Sequence, residues 1–161
     1  MGSDFLANIG FSFEQTDWFL RLIVALLAGA ILGLDREVRQ RRIGIRTYMM
    51  VSLGSAIFTI VSVEMSQDLQ ASDMAADPTR VIQGLMGGLG FLGAGAIIQG
   101  NKRVGGMVTA ASLWVAGALG LSAGMGYGMF SLVCAGLAAA LLAISRFMEH
   151  RGSADRPDLN D

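Results

Sequence analysis

The sequence predicts an all-α, polytopic membrane bundle of five transmembrane helices, and three observations predict it. The 161 residues are 53% hydrophobic and only 16% charged, against about 25% charged in an average soluble domain; the mean hydropathy is +0.53. Five proline-free apolar stretches approach the ~20 residues that a helix needs to cross a ~30 Å hydrocarbon core. Basic residues cluster after the first, third and fifth stretches, which places them on one side of a membrane crossed an odd number of times.

Residues 1–17 form a polar N-terminal segment with Asp4, Glu14 and Asp17 and no Lys or Arg. A signal peptide needs a basic stretch before its apolar core, so none is read here. The first span is Trp18 to Leu34, with Arg21 one turn inside its outer end, where the side chain is expected to snorkel toward headgroups. Thr47 to Val63 is the second span, Val81 to Ile98 the third, Val108 to Ala123 the fourth and Tyr127 to Ser145 the fifth. Trp18 and Tyr127 fall at span ends, as membrane-anchoring aromatics do, whereas Trp114 reads as packing. Residues 18–145 are thus the transmembrane domain, and 146–161 a polar cytoplasmic tail, read as disordered after Arg151.

Arg36, Arg39, Arg41, Arg42 and Arg46 follow span one, Lys102 and Arg103 span three, and Arg146, Arg151 and Arg156 span five. Only Arg21 and Arg80 remain for the other side, so the N-terminus is expected outside and the C-terminus in the cytoplasm. Net charge is −1, which offers no field for nucleic acid. One Cys (Cys134) and one His (His150) exclude an intrachain disulfide and a structural zinc site.

Spans one and two resemble spans three and four. Ala28-Gly29-Ala30-Ile31 matches Ala94-Gly95-Ala96-Ile97, and Asp35-Arg36 falls on Asn101-Lys102. After a four-residue deletion, Gly44 falls on Gly106, Thr47 on Thr109 and Ala56 on Ala118. This predicts a parallel repeat of two hairpins. Glycines recur one helical turn apart at Gly29 and Gly33, Gly84 and Gly88, and Gly120 and Gly124. Small residues let membrane helices approach closely. With Gly90, Gly93 and Gly95 added, span three carries glycine around much of its circumference, which predicts a central helix packed on several sides; a hinge is the alternative. No strand precedes Gly87-Gly88-Leu89-Gly90, so a phosphate loop is excluded and no cofactor is expected.

The candidate functional residues are charges at the cytoplasmic mouth: Asp35, Arg36, Glu37, Arg46 and Thr47. Continued helix past Leu34 would pair Asp35 with Arg39 and Glu37 with Arg41 at i,i+4. Asp35 and Glu37 are two residues apart and point to nearly opposite sides of a helix. Residues 35–46 also sum to +3, so the patch suits an anion, an anionic lipid or an acidic partner, and no metal site is expected. At the outer face, Asp77 or Thr79 is placed to cap span three beside Arg80. Thr109 and Ser112 are candidates for hydrogen bonds across helices.

Five motifs in order, Gly33-Leu-Asp-Arg-Glu37, Gly44-Ile-Arg-Thr47, Asp77-Pro-Thr-Arg80, Gly90-Phe-Leu-Gly-Ala-Gly95 and Thr109-Ala-Ala-Ser-Leu-Trp114, resemble the MgtC/SapB family over residues 18–145. The resemblance implies a bacterial inner-membrane protein linked to magnesium limitation, acid stress and virulence. It also implies a membrane-protein partner, the F-type ATP synthase, and functional charges at Asp35, Arg36, Glu37, Arg46, Thr47 and Arg80. Asp35 stands where the family commonly has Glu, and Val108 where a polar residue is frequent. The chain ends soon after span five, which reads as the short form without the C-terminal soluble domain. The expectation is therefore a non-enzymatic regulator that binds lipid or a membrane partner and forms a homodimer. The alternative is a small magnesium or proton-coupled transporter. Against transport, no ionisable residue sits at the centre of a predicted span. No nucleophile has a nearby base, so an enzyme is not expected.

Overall fold

The computed structural model describes residues 13–37, 43–71, 77, 79–98 and 105–153. Five helices account for nearly all of them: α1 (Phe13–Glu37), α2 (Ile45–Ala71), α3 (Thr79–Ile98), α4 (Met107–Gly124) and α5 (Gly128–Ser153). Each contains a stretch long and apolar enough to cross a membrane, and these five stretches coincide with the predicted spans to within a few residues. Three helices outrun the expected boundaries. The polar N-terminal segment is helical from Phe13, α2 runs past Val63 to Ala71, and α5 continues through Ser153, just into the stretch after Arg151 read as disordered. No Gly or Pro occurs between Gly136 and Gly152 to stop it.

The centre of the bundle is α4, which touches all four other helices. This corrects the expectation that glycine-rich α3 is central: α3 touches α4 and, lightly, α2. The reason is geometric. Glycine on a helix invites contact only where another helix offers a matching face, and α2 and α4 offer theirs to each other. Ser52, Ser55, Ala56 and Thr59 form a small-residue face on α2, all buried. Gly120 and Gly124 of α4 lie against it. A Cβ at Gly120 would overlap the Ser52 carbonyl, and one at Gly124 would stand 2.7 Å from the Ala56 carbonyl oxygen. Such close approach replaces the hydrophobic drive that is missing between helices in lipid.

α1 completes a three-helix core. Gly29 sits over the backbone of Tyr48 and Met49, and Gly33 over Ile45, 2.7–2.9 Å from where a Cβ would stand. The buried Tyr48 ring fills the space beside Ala28, Leu32, Leu113 and Ala116. Two hydroxyls bridge helices: Ser52 Oγ donates to the Ala25 carbonyl at 2.7 Å, and Ser131 Oγ of α5 to the Leu119 carbonyl at 2.8 Å. Of the hydroxyls expected to bridge helices, Ser112 Oγ donates to Val108 O one turn back in its own helix. Trp114, read as packing, is 43% exposed on the outside of the bundle.

The hairpins α1–α2 and α3–α4 differ in register from the sequence repeat. Gly29 lies over Tyr48, but it is Gly93, not Gly95, that lies over Ala110, the residue aligned with Tyr48. The hairpins also differ in packing, because α1 rests on α4 whereas α2 and α3 stand apart around a cavity.

Candidate functional site

The contacts sort the polar residues to two ends of the bundle. At one end Trp18 Nε1 donates to Glu64 Oε1 at 3.2 Å, joining α1 and α2. Arg21, half-buried, does not snorkel away: its Nη1 donates to the Gly124 carbonyl at 3.2 Å. A cation at the C-terminus of α4 satisfies an orphan carbonyl and complements the helix dipole. The chain turns there through Gly126, whose φ of 92° brings its backbone under the guanidinium. Asp77 and Arg80, the outer-face candidates, border the same end. Asp77 Oδ1 accepts hydrogen bonds from Thr79 Oγ1 (2.7 Å) and Thr79 N (2.9 Å), so Asp77 caps α3. These two bonds, the hydroxyl's first, together with the nearby Arg80 charge, hold its carboxyl below the ordinary value.

At the opposite end Gly33 meets Ile45, and Gly106 meets the Ala96 carbonyl. Gly106 precedes α4 with φ 87°, a left-handed conformation that favours glycine. Helix positions 35–37 and the start of α2 are thereby brought together, so the mouth candidates Asp35, Arg36, Glu37, Arg46 and Thr47 share one end. The side chains of Asp35, Arg36 and Glu37 are outside the described set. Arg39, Arg41 and Arg42, and with them the expected i,i+4 pairs, also lie outside the described residues. Arg46 and Thr47 are exposed.

α2 and α4 run parallel, with Ser52 beside Gly120 and Ala56 beside Gly124. Arg46, in the first turn of α2, stands at the start of that helix's span, Ile45–Ser66, at the end of the bundle where Gly33 meets Ile45.

The glycine candidates divide. Gly29 and Gly33 are buried in the α1–α2 contact. Gly93 makes an ordinary contact, its Cβ position 3.6 Å from Ala110 Cβ. Gly84, Gly88, Gly90 and Gly95 do not pack: a Cβ on any of them would meet no described atom within 4 Å. Among the described residues no three His, Cys, Asp or Glu side chains come together to hold a metal ion.

Residues 22–151 match the MgtC family. This chain belongs to that family. Among its relatives, Protein SrpB of Synechococcus elongatus is 39% identical over 144 residues, covering 83% of this chain and 78% of SrpB. The putative magnesium transporter YhiD of Escherichia coli is 36% identical over 132 residues, 81% of this chain and 60% of YhiD. Protein MgtC of Salmonella typhimurium is 38% identical over 109 residues, 68% of this chain and 44% of MgtC. The chain thus spans less than two thirds of the length of YhiD and MgtC. No solved structure matches. Membership and the five apolar helices make the chain a multi-pass protein of the bacterial inner membrane. Within this MgtC-family bundle, the feature unforeseen as a site element is the Arg21 cap. A signal for the α2–α4 packing was present: Ser52, Ser55, Ala56 and Thr59 fall at i, i+3, i+4 and i+7.

Proposed function

We propose that this MgtC-family chain is a non-enzymatic regulator of the inner membrane, tied to magnesium homeostasis and to acid or virulence stress, that acts by binding a membrane partner. The observation that carries the reading is the exposed guanidinium of Arg46 at the end of the bundle where α1 and α2 meet. A cation there repels Mg²⁺ and attracts an anionic group of a protein or lipid. The bundle around it supports the same reading. The hydroxyls of Ser52, Thr59 and Ser131 donate to carbonyls, and glycine contacts bring α1, α2 and α4 together at backbone distance. The name of YhiD, putative magnesium transporter, supplies the magnesium setting. The family resemblance suggests the F-type ATP synthase as the partner and the residues around Arg46 as the contact.

A second reading, a small ion transporter, is favoured by the name of YhiD, putative magnesium transporter. Flux decides between them. Purified protein reconstituted in liposomes is expected to move neither Mg²⁺ nor protons across imposed gradients, while Arg46→Gln weakens crosslinking to the membrane partner. Mg²⁺ or proton flux that Asp35→Asn abolishes would make the chain a transporter.

A further inference from the structure

The cavity between α2 and α3 has an address in the membrane. It is lined on one side by α2 from Thr47 to Phe58 and on the other by α3 from Val81 to Leu92, with Gly54, Gly84 and Gly88 among its walls. Its volume is about 750 Å³. Thr47 lies in the first turn of α2. At the other end Val81 sits beside Thr59 and Met125, where α4 ends. From Thr47 to Phe58 is roughly 16 Å along a helix, against ~15 Å for half the hydrocarbon core. The cavity is therefore about as long as one leaflet's acyl layer is thick, and its Val81 end lies on the side of Arg80. Its walls are apolar except for Thr47 and Ser55, and the Ser55 hydroxyl already donates to Val51 O.

The walls and the open end indicate the occupant. Extended acyl chains match the cleft's apolar walls and its length. Charge at the open end points the same way. Arg80, next to the lining residue Val81, is exposed, and so is Asp77 one turn before it. One positive and one negative group at headgroup level complement a zwitterionic headgroup, with phosphate on the guanidinium and ammonium on the carboxylate.

We propose that the α2–α3 cleft is a lipid site that holds the acyl chains of one zwitterionic phospholipid from the leaflet on the Arg80 side, with its headgroup on Arg80 and Asp77. The site extends the regulator reading by naming a lipid that the chain holds, yet its support is separate, so either idea can fail alone. The glycines make the site. Side chains at 84 and 88 would close it without touching the core, because a Cβ at either meets nothing within 4 Å.

The test is native mass spectrometry of the full chain, delipidated and then titrated with phosphatidylethanolamine. The wild type is expected to retain one lipid per chain. Gly84→Leu/Gly88→Leu should lose most of that occupancy, while Gly136→Leu, an equally open glycine on α5 away from the cleft, retains it. Arg80→Gln leaves the walls intact and should weaken retention about fivefold, the share of one cation near a phosphate. Equal retention by the filled variant and the wild type would overturn the site, as would a second protein chain lost in place of lipid on filling. If the filled variant does not fold, unchanged retention by Arg80→Gln would still overturn the headgroup assignment.

Discussion

α1, α2 and α4 meet at backbone distance, whereas α3 leans on α4 and leaves a cleft beside α2. Both regions are rich in glycine, so glycine content does not separate them. What separates them is the opposing face. Gly120 and Gly124 meet Ser52, Ala56 and Thr59, residues small enough for close contact. Gly84 and Gly88 look across a gap at a stretch of α2 that includes Met50, Val51 and Phe58, side chains too bulky for backbone approach. In lipid, where apolar surface gains little from contact with apolar surface, a helix associates through matched small faces and hydroxyl bonds, not through hydrophobicity alone.

The comparison is most easily broken at its glycines. Gly120→Ala should destabilise the bundle by about 2 kcal/mol, because the new methyl overlaps the Ser52 carbonyl and backbone must move. Gly88→Ala should leave stability unchanged or raise it by roughly 0.5 kcal/mol, since the methyl meets open space and alanine is the better helix former. Reversible unfolding in mixed micelles measures both, and equal losses would remove the distinction between the two regions. A smaller effect is expected at Arg21. Arg21→Met keeps the stem but loses the charge-assisted bond to the Gly124 carbonyl, for a loss of about 1.5 kcal/mol. Faster hydrogen exchange should then appear in the last turn of α4 and not in α3.

Much of this architecture was legible in the sequence. Hydropathy located all five helices because each must satisfy its own backbone in lipid, so length and apolarity nearly determine a span. The family was legible through five ordered motifs that together cover residues at both ends of the bundle. The arrangement of the helices was less so. Glycine periodicity named Gly29, Gly33, Gly120 and Gly124, but it equally named Gly84 and Gly88, since one strand of sequence does not carry the face opposite. Arg21 read as a snorkelling side chain because its acceptor, the Gly124 carbonyl, is more than a hundred residues away.

The smallest expected effect sharpens the account of α3. Asp77 has its carboxyl held below the usual 3.8 by the Thr79 hydroxyl and amide. A lowered folded value means that its cap stabilises the start of α3 above the unfolded value and is lost as pH falls through the folded one. Hydrogen exchange at Thr79–Ile82, followed from about pH 5 downward, should show protection that declines only below ~4. In Asp77→Asn the same amides should exchange without that pH step, and a step at higher pH would contradict the assignment.

The most direct test of the arrangement is disulfide formation in native membranes, in a Cys134→Ser background. Gly93 and Ala110 place their Cβ positions 3.6 Å apart, inside the ~3.5–4.5 Å that a disulfide requires. Gly93→Cys/Ala110→Cys is therefore expected to crosslink on mild oxidation. Gly54→Cys/Leu85→Cys, facing each other across the cleft, should remain reduced, because a Cβ at Gly54 meets nothing within 4 Å. Rapid crosslinking of the second pair, or failure of the first, would mean that α3 packs on α2 and that the cleft, with its lipid, does not exist.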